Sequence, residues 1–334
     1  MSPPQRPAAE PGDDPGVSIV VPVLNEERHL ADAVTQLVAQ RYAGPLEVVL
    51  ALGPSTDRTD EIAESLAAAD ARVRLVRNPT GRTPAGLNAA IAAATHDVVV
   101  RVDGHALVPD DYVAVAVETL LRTGADNVGG IMAAEGETPF EQAVACAMTS
   151  KLGVGAASFH VGGEEGPAPT VYLGAFRRDA LERVGGYDET MARAQDWEMN
   201  HRIRQTGGLV WFTPRMRVTY RPRPTVATLA RQYFDYGRWR RVVVRRNPGT
   251  VSARYLAAPV AVTGVAAGLL LAPRWPWALV LPAGYAGAVL AGTALTAGGL
   301  PARGKAALPL VYATMHMCWG AGFLTSPPSL GRKA

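Results

Sequence analysis

Asp103 and His105 stand two residues apart, with Gly104 between them, where the apolar run D-V-V-V-R-V of residues 97–102 ends. On an extended segment residues i and i+2 point the same way. A strand here would therefore deliver a carboxylate and an imidazole to one place. Asp oxygen with His nitrogen suits a divalent cation such as Mn²⁺ or Mg²⁺ better than a thiolate-seeking one. Gly104 would let the backbone or phosphate of a ligand come close. Asp-Gly is also an ordinary strand-ending turn, so the pair alone leaves both readings open.

The elements that must position this pair read as α/β. Residues 17–23 (V-S-I-V-V-P-V) form a short apolar run of the length of a buried strand. Residues 25–30 (N-E-E-R-H-L) open a helical pattern, with Asn25 as N-cap and acids in the first turn. Further strands are expected over 47–52, 72–77 and 97–102. Between them lie a loop at 53–59 (G-P-S-T-D-R-T), helical spacing from Asp60, and a helix over 83–94. Alternating strands and helices imply βαβ units and a mostly parallel sheet. Ligands of such sheets bind at the carboxyl ends of the strands, the edge where the loops of Asn25, Ser55 and Asp103 fall. No G-x-G-x-x-G and no P-loop occurs, so neither a dinucleotide nor an ATP cradle is indicated.

The 334 residues allow one large domain or two smaller ones, and the net charge of +3 conceals a partition. Residues 1–220 carry −10, residues 221–254 carry +8 and residues 255–334 carry +5, with no Asp or Glu after Asp235. This predicts an acidic soluble module over 17–220, a basic collar over 221–254 and an apolar tail. Cys146 and Cys318 read as core-filling thiols of a reducing compartment. The proline-rich residues 1–16 read as a disordered lead-in. They hold no apolar signal-peptide core, so the module is expected in the cytoplasm.

Three apolar runs without a charged residue follow the collar, over 255–272, 275–297 and 306–326. A membrane-spanning helix needs about 17–20 such residues, and these lack the polar face of helices in a soluble domain. About three spans are therefore expected in 255–326, with a tail at 327–334. Gly264 and Gly268 are spaced for close helix packing in lipid, and Trp275, Trp277 and Trp319 stand near the ends. Arg238, Arg240, Arg241, Arg245, Arg246 and Arg254 precede the first span and place that side in the cytoplasm. The expectation is a multi-pass protein of the inner (cytoplasmic) membrane; three spans would put Arg332 and Lys333 outside, a mild departure from the rule. Residues 225–246 fit an amphipathic helix on anionic lipid. Aromatics among arginines also suit nucleic acid, but the adjoining span argues against that partner.

Several ordered motifs carry a resemblance. They are S-I-V-V-P-V-L-N-E-E-R at 18–28, S-T-D-R-T at 55–59, D-G-H at 103–105, and G-G-Y-D at 185–188 followed by Q-D-W-E at 195–198. Q-Y-F-D-Y-G-R-W at 232–239 completes the series. Together they resemble the family-2 inverting glycosyltransferases with the GT-A nucleotide-sugar fold, over residues 17 to about 245. N-P at 78–79, T-P-A-G-L-N at 83–88 and P-A-P-T-V-Y-L-G-A-F-R at 167–177 are similar to the membrane-anchored succinoglycan-biosynthesis type.

The resemblance implies a nucleotide-diphospho-sugar donor and a hydroxyl acceptor on a lipid-linked or cell-envelope glycan. Pro22, Asn25, Glu26, Ser55, Asp57, Arg82 and Asp103 would line the donor pocket. Asp103 and His105 would stand where the family holds its divalent metal, Mn²⁺ or Mg²⁺. Asp196 would be the base that deprotonates the acceptor; the competing account is a surface acid paired with Arg193. Gln232, Arg238 and Trp239 would form a variant of Q-x-x-R-W that closes over the donor pyrophosphate. Two departures stand out: Leu52 where many relatives grip the nucleotide with Asp, and Gln195 where the family has Glu. They motivate an alternative, a catalytically impaired scaffold or binding subunit of a polysaccharide-assembly complex, against which Asp103, His105 and Asp196 all weigh. A transporter tail has little support, since His316 is the one ionisable side chain well inside a run.

Overall fold

A computed structural model describes residues 14–332. Of the expected lead-in over 1–16, all but the last three residues lie outside the described residues, as do the last two of the tail. The elements run β1 (Val17–Val23), α1 (Leu30–Val38), β2 (Leu46–Leu52), α2 (Thr59–Ala69), β3 (Val73–Arg77), α3 (Thr83–Ala93), β4 (Val98–Arg101), α4 (Tyr112–Thr123) and β5 (Asn127–Ala134). There follow α5 (Pro139–Met148), α6 (Lys151–Val154), α7 (Ser158–Val161), β6 (Gly166–Pro167), β7 (Tyr172–Arg177), α8 (Arg178–Val184), α9 (Gln195–Gln205) and β8 (Val210–Tyr220). Four long helices complete the chain: α10 (Val226–Arg246), α11 (Ala253–Leu271), α12 (Val280–Thr296) and α13 (Ala302–Thr325).

The chain divides into two compact units, one of residues up to Ala133 with Gly162–Tyr220, the other of Ala134–Val161 with Arg221 onward. The first unit holds an eight-stranded sheet in the order β3-β2-β1-β4-β7-β5-β8-β6. β1, β2, β3 and β4 pair in parallel, while β7 is antiparallel to both β4 and β5. β5 therefore runs with β4, and since β6 and β8 are antiparallel to each other, six of the eight strands point one way, the mostly parallel sheet expected. β1 is buried along nearly its whole length, as a central strand covered on both faces must be. Its apolar residues join those of β2, β4, α1 and α4 in one core.

Glu47 is a buried carboxylate at the edge of that core. It accepts from Ser18 Oγ at 2.6 Å, from Thr95 N at 2.6 Å and Oγ1 at 2.8 Å, and from Arg74 Nη1 at 2.9 Å. Burial works to raise its pKa, but these donors outweigh it and hold the carboxyl at about 2. A depressed pKa gives stability that is present above the ordinary carboxylate range and lost as pH falls toward the folded value. Glu47→Gln is expected to cost roughly 3 kcal/mol at pH 7, the gap from the native chain narrowing steadily below pH 4. Unfolding curves of both proteins at the two pH values test this, and equal stability at pH 7 would refute it.

In the second unit α5 is closed by a capping box, Thr138 accepting from Glu141 N while the Glu141 side chain accepts from Thr138 N. α10 packs against α13 so closely that a Cβ on Gly237 would sit 2.0 Å from Trp319 O, and one on Gly322 2.0 Å from Phe234 O. Among the described residues three helices are long and apolar enough to cross a membrane: Ala253–Leu271, Pro276–Gly299 and Ala302–Thr325. The third begins earlier than its charge-free run, taking Arg303 and Lys305 into its first turn, where long cationic side chains reach back to water.

Residues 134–161, expected within the first module, group with the second unit instead. The reason is a set of polar ties inside the long helices. Tyr312 Oη lies 2.8 Å from Ser150 Oγ and 2.9 Å from Thr296 Oγ1, and His316 Nε2 lies 2.9 Å from Leu152 O.

Candidate active site

β4 stops at Arg101, and the chain leaves the sheet at its carboxyl end carrying Val102, Asp103, Gly104 and His105. Arg101 is buried. A guanidinium in that position must be partnered, and two aspartates supply the charge. Arg101 donates through Nη1 to Asp196 Oδ1, and through Nε and Nη2, at 3.3 and 3.1 Å, to Asp103 Oδ1. Both of the latter bonds land on Oδ1, so Asp103 Oδ2 stands outside the pair. The guanidinium also lies 5.7 Å from the centroid of the Tyr187 ring.

The G-G-Y-D segment explains how Tyr187 arrives there. Asn88 Oδ1 accepts from Tyr187 N at 2.8 Å, and Asn88 Nδ2 donates to Tyr187 O at 2.9 Å. Gly186 has φ +73 and would put a Cβ 2.7 Å from Asn88 Oδ1, so only glycine fits. Asn88 ends the T-P-A-G-L-N segment, which thus holds the ring under Arg101.

Asp196 is the second residue of α9, and Ala194 before that helix is left-handed, at φ 62. Its Oδ2 accepts from Leu173 N at 3.4 Å. Leu173 is itself left-handed, at φ 57, beside Gly174 at φ 122, and the β5–β7 register shifts at this point. Such bulges re-aim groups beside functional sites, and here one turns an N–H toward Asp196. Burial raises the Asp196 pKa above the ordinary aspartate value; Arg101 opposes this and Asp103 adds to it. The Asp103 and Asp196 side chains are each 23% exposed, so a ligand can reach both.

The surface pairing with Arg193 does not form; the partner of Asp196 is Arg101, 95 residues away in sequence. Glu198 is engaged by Arg202 within its own helix, at 2.6 Å through both oxygens.

Beside this group, the loops after β1 and β2 clasp one another. Asn25 N donates to Ser55 Oγ at 3.1 Å, Thr56 N to Asn25 Oδ1 at 2.8 Å, and Glu26 N to Thr59 Oγ1 at 2.7 Å. Glu27 N donates to Asp57 Oδ2 at 3.3 Å. The hydroxyl and N–H of Thr59 hold the Asp57 carboxyl below its ordinary pKa. Asn25 is therefore not an N-cap: it is left-handed, at φ 55, and α1 begins five residues later, after His29. A bond to the neighbouring loop has displaced the local cap.

Gly104 packs this turn against β1, since a Cβ there would meet Glu26 Cγ at 3.2 Å and Pro22 O at 3.6 Å. His105 Nδ1 lies 2.7 Å from Glu26 Oε1. Pro22, Asn25, Glu26, Ser55, Asp57, Asp103 and His105 thus meet at one sheet edge. Arg82 is exposed before α3, where its backbone joins the Thr80 and Asn78 turn. Leu52 is buried at the end of β2, paired with Val23 and Arg77, so this position is core. Gln232, Arg238 and Trp239 lie on α10 of the second unit, Gln232 donating to Tyr236 Oη at 2.8 Å.

Among the described residues no set of three or more His, Cys, Asp or Glu gathers as a metal cage. The pair present still fits a hard cation that takes its other ligands from phosphate and water. Asp103 offers Oδ2, and a carboxylate on His105 Nδ1 is the arrangement that fixes an imidazole to ligate through Nε2.

Sequence reasoning missed Arg101, Tyr187 and the Glu26–His105 pair. The first had a signal, a lone arginine amid valines in a strand buried on both faces.

The family model described as glycosyl transferase family 2 matches residues 18–185. The chain is 36% identical over 309 residues to the succinoglycan biosynthesis protein ExoA of Rhizobium meliloti (strain 1021), covering 91% of this chain and 93% of that protein. Its fold is similar to that of the mannosyltransferase PcManGT from Pyrobaculum calidifontis, solved in complex with GDP-Man and Mn²⁺. That likeness has a TM-score of 0.60 at 24% identity, over 96% of this chain and 90% of that one. S. aureus TarS 1-349 in complex with UDP is similar at a TM-score of 0.52 and 16% identity, over 93% and 90%.

Proposed function

Since this chain belongs to glycosyl transferase family 2, we propose that it is a membrane-anchored inverting enzyme of polysaccharide assembly. It moves a sugar from a nucleotide-diphospho-sugar to a hydroxyl of a lipid-linked or cell-envelope glycan. The observation that carries this reading is the Asp196 carboxyl, partly buried beside Arg101 and reachable from solvent. Its raised pKa suits a base, since proton transfer is most effective when the catalytic pKa approaches the working pH.

Arg101 holds Oδ1 of Asp196, so Oδ2 takes the proton from the acceptor hydroxyl. The acceptor oxygen bonds to the anomeric carbon as the bond from that carbon to the phosphate oxygen breaks. The electron pair leaves with the nucleoside diphosphate, and one displacement inverts the centre. Asp103 and His105 would hold Mn²⁺ or Mg²⁺, with Glu26 orienting the imidazole; when bound, the cation offsets charge on the leaving phosphate. Pro22, Asn25, Glu26, Ser55 and Asp57 receive the nucleotide, with Arg82 at the rim. Gln232, Arg238 and Trp239 act on the donor pyrophosphate. PcManGT was solved with a guanosine nucleotide and TarS with a uridine one, which supports nucleotide-sugar use in general and leaves the base open.

The helices α11, α12 and α13 support a multi-pass anchor in the cytoplasmic membrane, and the arginines of α10 support a catalytic unit on the cytoplasmic side. The collar is read as facing lipid rather than nucleic acid.

Nucleotide release by the detergent-purified chain tests the proposal, using UDP-, GDP- and dTDP-sugars with Mn²⁺ and a bacterial lipid extract. Release from one donor, absent in Asp196→Asn, is the expected result. Donor binding without release would mean that the acceptor is missing from the extract, whereas silence with no donor binding would favour the scaffold alternative. Asp103→Ala and His105→Ala are each expected to weaken Mn²⁺-dependent nucleotide binding at least ~10-fold, and Glu26→Gln by about 10-fold through the imidazole. Titrations with and without Mn²⁺ check this, and an unchanged Mn²⁺ dependence in both alanine variants would remove the site.

A further inference from the structure

The three apolar helices of the second unit are covered very differently. On α11, α12 and the turn between them, Val260, Leu270, Trp277, Leu290 and Leu295 are each at least 60% exposed. Helices apolar all round and bare of protein are covered by lipid. α13 instead buries Leu308, Val311, Tyr312, Met315 and Phe323, and of its large apolar side chains only Leu310 and Leu324 are exposed.

What covers α13 is charged protein. Along its first half lie α5 and α6, which carry Glu141 and Lys151. A Cβ on Gly304 would sit 3.2 Å from Pro139 O, and one on Gly153 3.1 Å from Met315 Cε. Along its last turns lies α10, in the close contacts of Gly237 with Trp319 and of Gly322 with Phe234. Arg241 stands 5.0 Å from the centroid of the Phe323 ring, and Arg245 donates to Ser326 O and Pro327 O. α10 carries six arginines in 21 residues. A helix so charged stays out of the hydrocarbon, and it keeps the end of α13 with it.

The two ends of α13 also meet the same end of the α11–α12 hairpin. Those two helices are antiparallel neighbours, since a Cβ on Gly268, late in α11, would sit 2.6 Å from Ala278 O just before α12. The start of α11 and the end of α12 therefore share the open end of the hairpin. α13 follows α12 after the turn 297–301, and its Tyr312 Oη lies 2.9 Å from Thr296 Oγ1. Further on, a Cβ on Gly320 would meet Ala258 O at 2.5 Å and Val262 Cγ2 at 2.6 Å, on the opening turns of α11. Gly320 is about 27 Å along α13 from Ala302, nearly the ~30 Å thickness of a bilayer's hydrocarbon. A crossing α13 would carry Gly320 to the closed end of the hairpin, beside Gly268. Between the two contacts His316 Nδ1 lies 3.2 Å from Tyr285 Oη, so α13 passes over the hairpin obliquely.

We propose that the lipid-facing surface of this chain is the α11–α12 hairpin, and that α13 lies on the cytoplasmic side as the helix on which α5, α6 and α10 pack. This rests on the membrane reading above and narrows it to two crossings. The partner of the hairpin is the acyl layer of the bilayer. The charge pattern agrees. Two crossings put Arg303, Lys305, Arg332 and Lys333 on the cytoplasmic side and leave Arg274 alone in the outer turn, whereas three crossings would send Arg332 and Lys333 outside.

The test uses the full chain in membrane vesicles, with Cys146→Ser and Cys318→Ser as background and a membrane-impermeant maleimide as probe. Ser329→Cys, past α13, is expected to label only in inverted vesicles, and Pro273→Cys, between α11 and α12, only in right-side-out ones. Labelling of Ser329→Cys only in right-side-out vesicles would mean three crossings and overturn the proposal. Labelling of both positions in inverted vesicles alone, with release of the chain by alkaline washing, would remove the membrane reading itself. A second measurement compares the amount inserted. Leu290→Arg on α12 should lower it at least ~10-fold, and Leu310→Arg on α13 less than about twofold. An equal loss from the two would place α13 in the hydrocarbon and refute the assignment.

Discussion

Asp196→Asn is expected to lower kcat by about 10³-fold, within the range that a positioned base contributes, with donor binding changed less than about twofold. The substitution is nearly isosteric. An amide oxygen can still accept from Arg101 Nη1, so the packing around Tyr187 should survive. What is lost is the lone pair that takes the proton. A pH profile gives the second readout. Burial raises the Asp196 pKa, and a base works only when deprotonated. The acid limb of kcat/KM should therefore lie above the ordinary aspartate value, activity falling as pH drops through it. Comparable turnover by the asparagine variant would end the assignment of Asp196 as base.

Arg101→Ala has the largest expected effect on the fold and the site together. It removes the one cation between two carboxylates, leaving Asp103 and Asp196 to repel each other in a partly buried place. Breaking such a pair costs about 3–5 kcal/mol, which thermal unfolding would record. Arg101→Lys keeps the charge, loses the fork, and should recover part of the stability. The diagnostic readout is again pH. Arg101 lowers the pKa of Asp196, so a lysine that reaches it less well should move the acid limb of kcat/KM upward. An unmoved limb with reduced stability would make Arg101 a packing residue and no more.

β1, β2 and β4 were legible because each is a short run rich in β-branched and apolar residues, the composition that a strand covered on both faces requires, and β3 because it alternates apolar and basic residues as a half-covered edge strand does. The loops at Asn25, Ser55 and Asp103 followed from the rule that parallel strands open their ligand edge at one end. The helical pattern at Asn25 misled because capping is a local preference. Thr56 N from the next loop competes for the same oxygen, and a tertiary bond overrides the local cap. Residues 134–161 misled for a related reason. Their composition is ordinary for an α/β module, but Ser150 and Leu152 find their partners on α13, more than 160 residues on.

By itself the sequence determined the alternation of elements, the partition of charge, the three apolar runs and the order of motifs, all of which depend on neighbours close along the chain. The tertiary structure alone decided that Arg101 links Asp103 to Asp196, that Asn88 seats Tyr187 beneath it, and that Glu26 faces His105. Each of these joins residues distant in sequence. A buried charge is tolerable only where the fold brings its counter-charge, and no local pattern in the chain records where that partner will come from.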